Sequence, residues 1–161
     1  MDLTVRPTSK ADLADVDALV SRSYPKLLKA AYPPSILVTA LHLISRAQPK
    51  LVTSGTYYGV WSEDSLVGVG GWSRDIKSLT LGHVRHVCTD DRVVRRGVGR
   101  VLMDHILGAA RAAGLREMES WSTRNAVPFY TKFGFQELGP IDVPLQPGIT
   151  FPSVRMRMVL A

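Results

Sequence analysis

The sequence is poor in the features that mark membrane-spanning, secreted and disulfide-stabilised proteins. Cys88 is the one cysteine in 161 residues, so no internal disulfide can form, which is consistent with a reducing compartment. No apolar run approaches the roughly 20 residues that a membrane helix needs. Residues 1–6 also lack the apolar stretch of a signal peptide. We therefore expect a cytoplasmic protein without a membrane partner.

Aromatic residues are also scarce, at 7% of the chain, and no aromatic-rich strand is present to stack bases. The net charge of +6 would suit nucleic acid, but the arginines are spread from Arg6 to Arg157. Their one dense group, at residues 95–100, lies close to Asp90 and Asp91. A small anionic ligand explains that group better. Nucleic acid binding, which would depend steeply on salt, is the least favoured interpretation.

Length and apolar patterning predict one domain over residues 1–161, of the α+β class with a mixed sheet. A chain of this length buries roughly two-thirds of its unfolded surface. The predicted order is β-α-α-β-β-β-α-β-α-β-β, in which three antiparallel strands precede a single strand–helix–strand crossover. One crossover does not suggest a doubly wound sheet. A dinucleotide-binding motif would need glycine where Leu102 stands, and a P-loop would need a following Gly-Lys-Ser/Thr.

The predicted boundaries come from turn residues and from changes in apolar period. Ser9 is predicted to cap the first helix, which ends before Pro25, and Ser35 to cap a second helix that Pro49 closes. Asn125 is predicted to cap a short helix through residue 132. The predicted strands lie at 3–6, 56–62, 66–73, 79–89, 115–122, 135–138 and 154–160, with a helix at 98–113 and a loop through residue 152.

The sequence between the strand at 79–89 and the helix at 98–113 predicts an anion site. It reads Arg95-Arg96-Gly97-Val98-Gly99-Arg100. Glycines let the backbone approach a ligand closely, because no Cβ stands in the way. The free N–H groups of a first helical turn suit an anion, and the arginines add positive charge around them. A phosphate or pyrophosphate is the expected ligand.

Two motifs in this order resemble those of the GCN5-related N-acetyltransferase (GNAT) family. The first, Val87-Cys88-Thr89-Asp90-Asp91 followed by Val94-Arg95-Arg96-Gly97-Val98-Gly99, is similar to the family's acyl-CoA-binding motif. The second begins 26 residues past Gly99 and reads Asn125-Ala126-Val127-Pro128-Phe129-Tyr130-Thr131-Lys132-Phe133-Gly134-Phe135. The order of elements matches too, so the resemblance covers essentially the whole chain. It implies a GNAT-like acyl-CoA N-acyltransferase fold, a central mixed β-sheet flanked by helices.

The resemblance implies acetyl-CoA as co-substrate, no metal, and a set of contacts. Asn125 matches the residue that reaches the pantetheine arm, and backbone groups of Val87, Cys88 and Thr89 would pair with that arm. The pyrophosphate would lie on the loop and first helical turn formed by Val94, Arg95, Arg96, Gly97, Val98, Gly99 and Arg100. Val94 departs from the family, which usually has Gln or Arg there. Arg92 or Arg95 would have to replace the missing contact.

Amine acetylation needs two proton transfers, because the attacking amine must be neutral and the departing thiolate must be stabilised. Tyr130 matches the family tyrosine that protonates the thiolate and would also contact the cofactor. The backbone N–H of Val87 matches the oxyanion donor.

The base is left open between His83 and Glu119, with His86 as a weaker candidate and a water chain as another route. Strand alternation predicts His83, Arg85 and Val87 on one face, and Val84, His86 and Cys88 on the other. A nucleophilic role for Cys88 is disfavoured, since it interrupts an apolar strand without a clear base.

The acceptor cleft is expected from residues 24–32, the hairpin around Trp72 and the loop at 142–151. Trp61, Trp72 and Trp121 are candidates to line it. We expect direct attack on the thioester by a primary amine of a small molecule, with a homodimer left open. The alternative is a non-catalytic acyl-CoA-binding sensor, which the departure at Val94 and the unassigned base would favour.

Overall fold

The computed structural model describes residues 2–94 and 96–160, and a seven-stranded mixed sheet forms its centre. The strand order is β1-β2-β3-β4-β5-β7-β6. Only β4 and β5 run parallel among the described strands, so the predicted mixed sheet with one crossover is confirmed. The strands are β1 Leu3–Pro7, β2 Tyr57–Ser62, β3 Ser65–Arg74, β4 Leu81–Thr89, β5 Glu117–Ser122, β6 Gln136–Gln146 and β7 Ile149–Val159.

Helices cover both faces of the sheet and divide the core into two clusters. One cluster forms under α4, around Leu102, Met103 and Ile106. The other forms under α1 and α2, around Leu19 and Leu28. No helix in the described part of the chain has the length and apolarity to cross a membrane. The helices are α1 Leu13–Leu28, α2 Pro34–Ile44, α3 Pro49–Val52, α4 Val98–Ala112 and α5 Val127–Lys132.

The prolines explain where the predicted boundaries were wrong. Pro25 lies inside α1, because the turn that carries it buries Tyr24 and Leu28 in the second cluster. That burial outweighs a lost backbone hydrogen bond. Pro33, not Ser35, stands at the N-cap of α2, and Pro49 begins α3 rather than only closing α2.

Residues 136–146, expected mainly as a loop, form the long strand β6, which pairs with β7 alone. Pro140 and Pro144 are tolerated there, because a strand at the edge of a sheet has one side without ladder hydrogen bonds. The register shifts near Gly139 and next to Pro144 accommodate the irregular backbone. The prolines of this segment predict a loop, but a strand at the edge of the sheet also tolerates them, and the position of a strand in its sheet is a tertiary property.

Strands β4 and β5 separate soon after they meet, and this opening creates the site. They pair only over Leu81–His83 and Glu117–Glu119. Past that point β4 bulges. Arg85 lies opposite Gly71 and Cys88 lies opposite Val69, so His86 and Val87 of β4 together face the single residue Gly70 of β3. His86, at the bulge, has φ +47°.

The bulge corrects the predicted alternation of side chains along β4. Val84 and Val87 both pack against the cluster under α4. His86 contacts α1 and α2 instead, through the Tyr24 ring and the Ile44 carbonyl. The extra residue shifts the phase of the strand, so His86 lies on the face opposite to the one that strict alternation predicts.

Candidate functional site

A cleft of about 950 Å³ lies between the end of β4, the start of α4 and helix α5. Arg96, predicted as a contact, is exposed and does not line it, and Arg95 lies outside the described residues. Tyr130 faces a different pocket. The other predicted cofactor contacts all line this cleft: Val87, Cys88, Thr89, Val94, Gly97, Val98, Gly99, Arg100 and Asn125.

The two glycines of the turn serve different purposes. Gly97 is the N-cap of α4 and has φ +85°, a left-handed conformation that favours glycine; a Cβ there would meet nothing within 4 Å. A Cβ on Gly99 would lie 2.8 Å from Cε1 of Phe129. Gly97 therefore sets the backbone of the turn, whereas Gly99 lets α5 pack against α4. The two sequence motifs meet at this contact.

The cleft is suited electrostatically to an anion. The N-terminus of α4 opens onto it, with backbone N–H groups and the positive end of the helix dipole. Arg100 and Arg111 of α4 and Lys132 of α5 line it, with Asp104 as the one lining acid among the described residues. Arg111 and Lys132 were missed from the sequence. Arg111 follows Arg100 by three helical turns, so the 3.6-residue period could have found it.

Of the two arginines expected to compensate for Val94, Arg95 lies outside the described residues and Arg92 is already paired. Both Arg92 and Arg22 donate to the buried carboxylate of Asp90, with Nη2–Oδ2 distances of 2.9 Å. The backbone N–H of Arg92 also donates to Asp90, at 2.9 Å. Hydrogen bonds from Arg92 hold the pKa of Asp90 below its usual value. Asp90 therefore fixes the segment before the glycine turn, and Val94 lines the cleft with 44% of its surface exposed.

A second pocket, of about 250 Å³, opens on the other side of the separation between β4 and β5. The hydroxyl of Tyr24 donates to the backbone carbonyl of Val87 at 2.7 Å, so α1 is fixed to β4 where the two spaces adjoin. A ligand in the cleft and a ligand in the second pocket would approach each other here. The two spaces share five lining residues: Tyr24, Val87, Thr123, Ala126 and Phe129.

Tyr130 lines the second pocket from α5 and is 5% exposed. Its ring packs edge-on against Phe129 and Phe135, with centroids 5.2 Å away in each case. Burial raises the pKa of Tyr130 to about 12. The phenol is therefore protonated at neutral pH and can donate a proton or a hydrogen bond.

Glu119 is the centre of an ion cluster and lines neither space. Its carboxylate accepts hydrogen bonds from Arg155 Nε at 3.1 Å, Arg157 Nη2 at 2.7 Å and Trp121 Nε1 at 2.8 Å. Burial alone would raise the pKa of Glu119, but these hydrogen bonds outweigh it and lower the pKa to about 2. A carboxylate with that pKa is a weak base.

His83 also lies outside the lining of both spaces. Its Nε2 is 2.7 Å from Oδ1 of Asp75, and its Nδ1 is 4.0 Å from Oε2 of Glu119. Trp121, which does line the second pocket, packs edge-on against the imidazole, with centroids 6.0 Å apart. A proton could reach His83 from the pocket only through an intervening water.

His86 lines the second pocket, but its Nε2 bonds the Ile44 carbonyl at 2.8 Å and its enclosed Nδ1 has no partner among the described residues. Burial lowers the pKa of His86, which keeps the ring neutral. Cys88 is 2% exposed, and burial raises the pKa of its thiol well above the usual value. The thiol is therefore a poor nucleophile, as its place in a buried strand suggested.

The walls of the second pocket agree only partly with those expected. Trp121 lines it, but Trp72 is in the core, where its Nε1 donates to Tyr58, and Trp61 lies under the guanidinium of Arg6. Val143, Leu145 and Phe151 come from the β6–β7 hairpin, which replaces the predicted loop. Asn125 does not cap α5: it lies in a 3-10 turn, Arg124–Ala126, whose N-cap is Thr123.

Comparison with known families decides what kind of protein has this arrangement. Residues 39–160 match the model of an acetyltransferase (GNAT) domain. The chain belongs to the GNAT acetyltransferase family. This GNAT chain is therefore an acyltransferase, and the family resemblance drawn from the two sequence motifs is confirmed. Among curated proteins, no sequence is significantly similar to it.

Solved structures share the fold at low sequence identity. PaiA N-acetyltransferase from Thermoplasma acidophilum, in complex with coenzyme A, has a TM-score of 0.75 and 14% identity over 99% of both chains. Ard1 from Thermoplasma volcanium has a TM-score of 0.70 and 22% identity, over 99% of this chain and 98% of that one. N-acetylglutamate synthase from Neisseria gonorrhoeae, complexed with coenzyme A and N-acetyl-glutamate, gives 0.70 and 14%, over all of this chain and 36% of that one. The GNAT fold thus extends over the whole described chain.

Proposed function

We propose that this protein transfers the acetyl group of acetyl-CoA to a primary amine of a small molecule by direct attack. The observation that carries this proposal is the pair of adjoining spaces at the separation of β4 and β5. The larger one is lined by the α4 N-terminus and by basic side chains, which suit a pyrophosphate. The coenzyme A bound in the PaiA structure supports the same donor.

The cleft residues fit coenzyme A as a substrate. The turn at Gly97 and the first turn of α4 would hold the pyrophosphate, assisted by Arg100, while Arg111 and Lys132 would bind further phosphate groups. Backbone groups of Val87, Cys88 and Thr89 would pair with the pantetheine arm, and Asn125 would contact it from the 3-10 turn. The thioester then lies near Val87, where the second pocket begins.

The transfer forms a C–N bond and breaks the C–S bond. The amine nitrogen attacks the thioester carbonyl, and the backbone N–H of Val87 stabilises the oxyanion. The nitrogen loses one proton to water, the departing thiolate gains one from the hydroxyl of Tyr130, and the resulting phenolate regains one from water. Tyr130 suits this role because it lines the second pocket, which would hold the acceptor amine (the acceptor pocket), and because it stays protonated at neutral pH.

The proton from the amine leaves through water in this proposal. His83 can accept it only by way of such a water, because His83 does not line the pocket and its ring packs against Trp121, which does. Glu119, with a pKa of about 2, positions Trp121, Arg155 and Arg157 rather than acting as the base. The assignment of His83 stays a prediction, and a shift in the acidic limb of the kcat pH profile of His83→Asn is its test.

The test of the function is release of the coenzyme A thiol with a panel of primary amines, for the natural chain and for Tyr130→Phe. We expect Tyr130→Phe to lower kcat by roughly 100-fold or more while leaving the Kd for acetyl-CoA unchanged. Tyr58→Phe is the matched control, because Tyr58 is a core tyrosine that accepts from Trp72 and lines neither space. Its kcat should stay within a few-fold of the natural value.

Two results would contradict the proposal. If acetyl-CoA binds but no amine in the panel is acetylated, the protein is a sensor of acyl-CoA. If amines are acetylated and Tyr130→Phe has the same kcat as the natural chain, Tyr130 is not the acid.

A further inference from the structure

The acceptor pocket contains one charged group among its described lining residues, the guanidinium of Arg85. Aspartate and glutamate are absent from that lining, and the neighbouring His86 is neutral. An amine acceptor is itself a cation for most of its time in water. A pocket for a simple polyamine or a lysine side chain would be expected to offer it a carboxylate. This pocket offers a positive charge instead.

The guanidinium of Arg85 has one hydrogen bond within the described structure, from its Nε to Oγ of Ser73 at 2.7 Å. No carboxylate of the described residues is within ion-pair distance of it. The nearby Asp75 is occupied, because its Oδ1 bonds His83 and its Oδ2 accepts from the backbone N–H groups of Lys77 and Ser78. The Nη1 and Nη2 donors of Arg85 remain for a ligand.

Other arginines on this side of the sheet are neutralised within the protein. Arg155 and Arg157 both bond Glu119. Arg85 is partly buried, and that burial lowers the pKa of its guanidinium. A guanidinium partly removed from water without a counter-ion is unfavourable, and an anion in the pocket would relieve the penalty. The planar donor pair of Arg suits a carboxylate best.

The remaining walls indicate what accompanies that carboxylate. The volume, about 250 Å³, lies just below the usual range for ligand pockets and suits one small molecule rather than a protein segment. Arg85 precedes Val87 by two residues, which span at most about 7 Å even in extended backbone, so the anion would sit close to the reacting amine. The pocket has an apolar wall and several neutral polar groups. The apolar wall includes Ile44, Leu51, Trp121, Val143, Leu145 and Phe151, and the neutral polar lining residues are Gln48, Ser120, Ser122, Thr123 and Ser153.

We propose that the acceptor is a free amino acid with an apolar side chain, whose carboxylate pairs with the guanidinium of Arg85. This inference rests on the proposed acetyl transfer. The side chain of the acceptor packs against the β6–β7 hairpin and Trp121. Its amine points past Val87 to the thioester. Arg85 thus selects the substrate and takes no part in the proton transfers.

Matched acceptors test the proposal directly. The panel is L-phenylalanine, L-phenylalaninamide and 2-phenylethylamine, with L-leucine, L-leucinamide and 3-methylbutylamine as a second set, and spermidine as a polyamine. We expect kcat/KM for each amino acid to exceed that of its amide and of its decarboxylated amine by roughly 10- to 100-fold. The amides have the more readily neutralised amine, so intrinsic reactivity works against this preference.

Substitutions then assign the preference to Arg85. Arg85→Gln should reduce the preference for the amino acid over its amide and amine to about 3-fold or less. Arg85→Lys keeps the charge without the planar donor pair, so its preference should lie between those of Arg85→Gln and the natural chain. Arg116→Gln, at an exposed arginine that lines neither space, is the control and should keep the full preference. An unchanged Kd for acetyl-CoA verifies that each variant is folded.

The outcomes separate this proposal from the proposed function. Acetylation of amides, decarboxylated amines or spermidine as efficiently as amino acids would overturn the amino-acid assignment and leave acetyl transfer standing. A preference that survives in Arg85→Gln would also overturn it. If no acceptor is acetylated, acetyl transfer fails, and calorimetric titration of phenylalanine and leucine into the coenzyme A complex decides the inference. Absence of Arg85-dependent binding in that titration would overturn it as well.

Discussion

Glu119 provides the sharpest test of the electrostatic argument, because one carboxylate holds three strands together. It sits on β5, and its partners Arg155 and Arg157 sit on β7. The third strand, β4, contributes the Nδ1 of His83, 4.0 Å from Oε2 of Glu119. Substitution by glutamine keeps the shape of the side chain and removes its charge. Both arginines then lose their buried counter-ion, and Arg157 keeps only the more exposed Glu117, at 3.4 Å.

The magnitude follows from the pKa. Lowering the pKa of Glu119 from 4.5 to about 2 corresponds to about 3 kcal/mol of stabilisation at pH 7. The carboxylate is 4% exposed, so solvent screens it little, whereas the side chains of Arg155 and Arg157 are 43% and 31% exposed and regain some hydration in the variant. We therefore expect Glu119→Gln to lower the free energy of unfolding by about 2–3 kcal/mol at pH 7.

The pH dependence has a definite sign. A carboxylate whose pKa is lower in the folded state stabilises the fold above its unfolded pKa, here 4.5, and the stabilisation is lost as the pH falls through about 2. The difference between the natural chain and Glu119→Gln should therefore shrink to about half of its neutral value at pH 3. Urea is the denaturant to use, since guanidinium chloride would screen the ion cluster.

Glu117→Gln is the matched control on the same strand. Glu117 contacts Arg157 at 3.4 Å, but its side chain is 43% exposed, and we expect a change within about 0.5 kcal/mol. Two results would refute the reasoning. One is a Glu119→Gln protein as stable as the natural chain at pH 7. The other is a loss of stability of the same size at pH 7 and pH 3.

The turn and the buried thiol give two further predictions. Gly99→Ala should lower the free energy of unfolding by up to about 2 kcal/mol and weaken acetyl-CoA binding, because its Cβ would meet Phe129. Gly108→Ala in the same helix, where a Cβ meets nothing within 4 Å, should raise the free energy of unfolding by about 1 kcal/mol. Urea unfolding measures both variants, and equal changes in the free energy of unfolding would contradict a packing role for Gly99. Cys88 should resist iodoacetamide at pH 8 in the folded protein and react once urea unfolds it, as mass spectrometry can follow. Rapid alkylation of the folded protein would contradict its burial.

Most of the predicted cofactor contacts, all except Asn125 and Tyr130, lie within residues 87–100, which is why so many of them lie together in the cleft. Val94, Gly97, Gly99 and Arg100 line it because a strand, a tight turn and a helix N-terminus form from local sequence alone. The period of α4 also carries Arg111 to the same side, although that residue was not predicted. Local periodicity contains this information, since a helix fixes which residues share a face.

The acceptor pocket could not be predicted in the same way. Its residues come from α1, α2, α3, β4, β5, α5 and the β6–β7 hairpin, and their proximity depends on the order of strands in the sheet. The bulge at His86 changed the phase of β4, and the edge position of β6 turned an expected loop into a strand. Both features depend on a neighbouring strand.

By itself, the sequence determined the mixed sheet with a single crossover, the glycine turn that opens α4 and the family to which the chain belongs. These depend on periodicity, glycine backbone freedom and two local motifs, all of which are properties of contiguous residues. Only the tertiary structure decided which arginines are paired, that Glu119 lies in an ion cluster and that Arg85 faces the acceptor pocket. Charge pairing in a folded protein depends on distance and burial, and both are set by strands that are far apart in the chain.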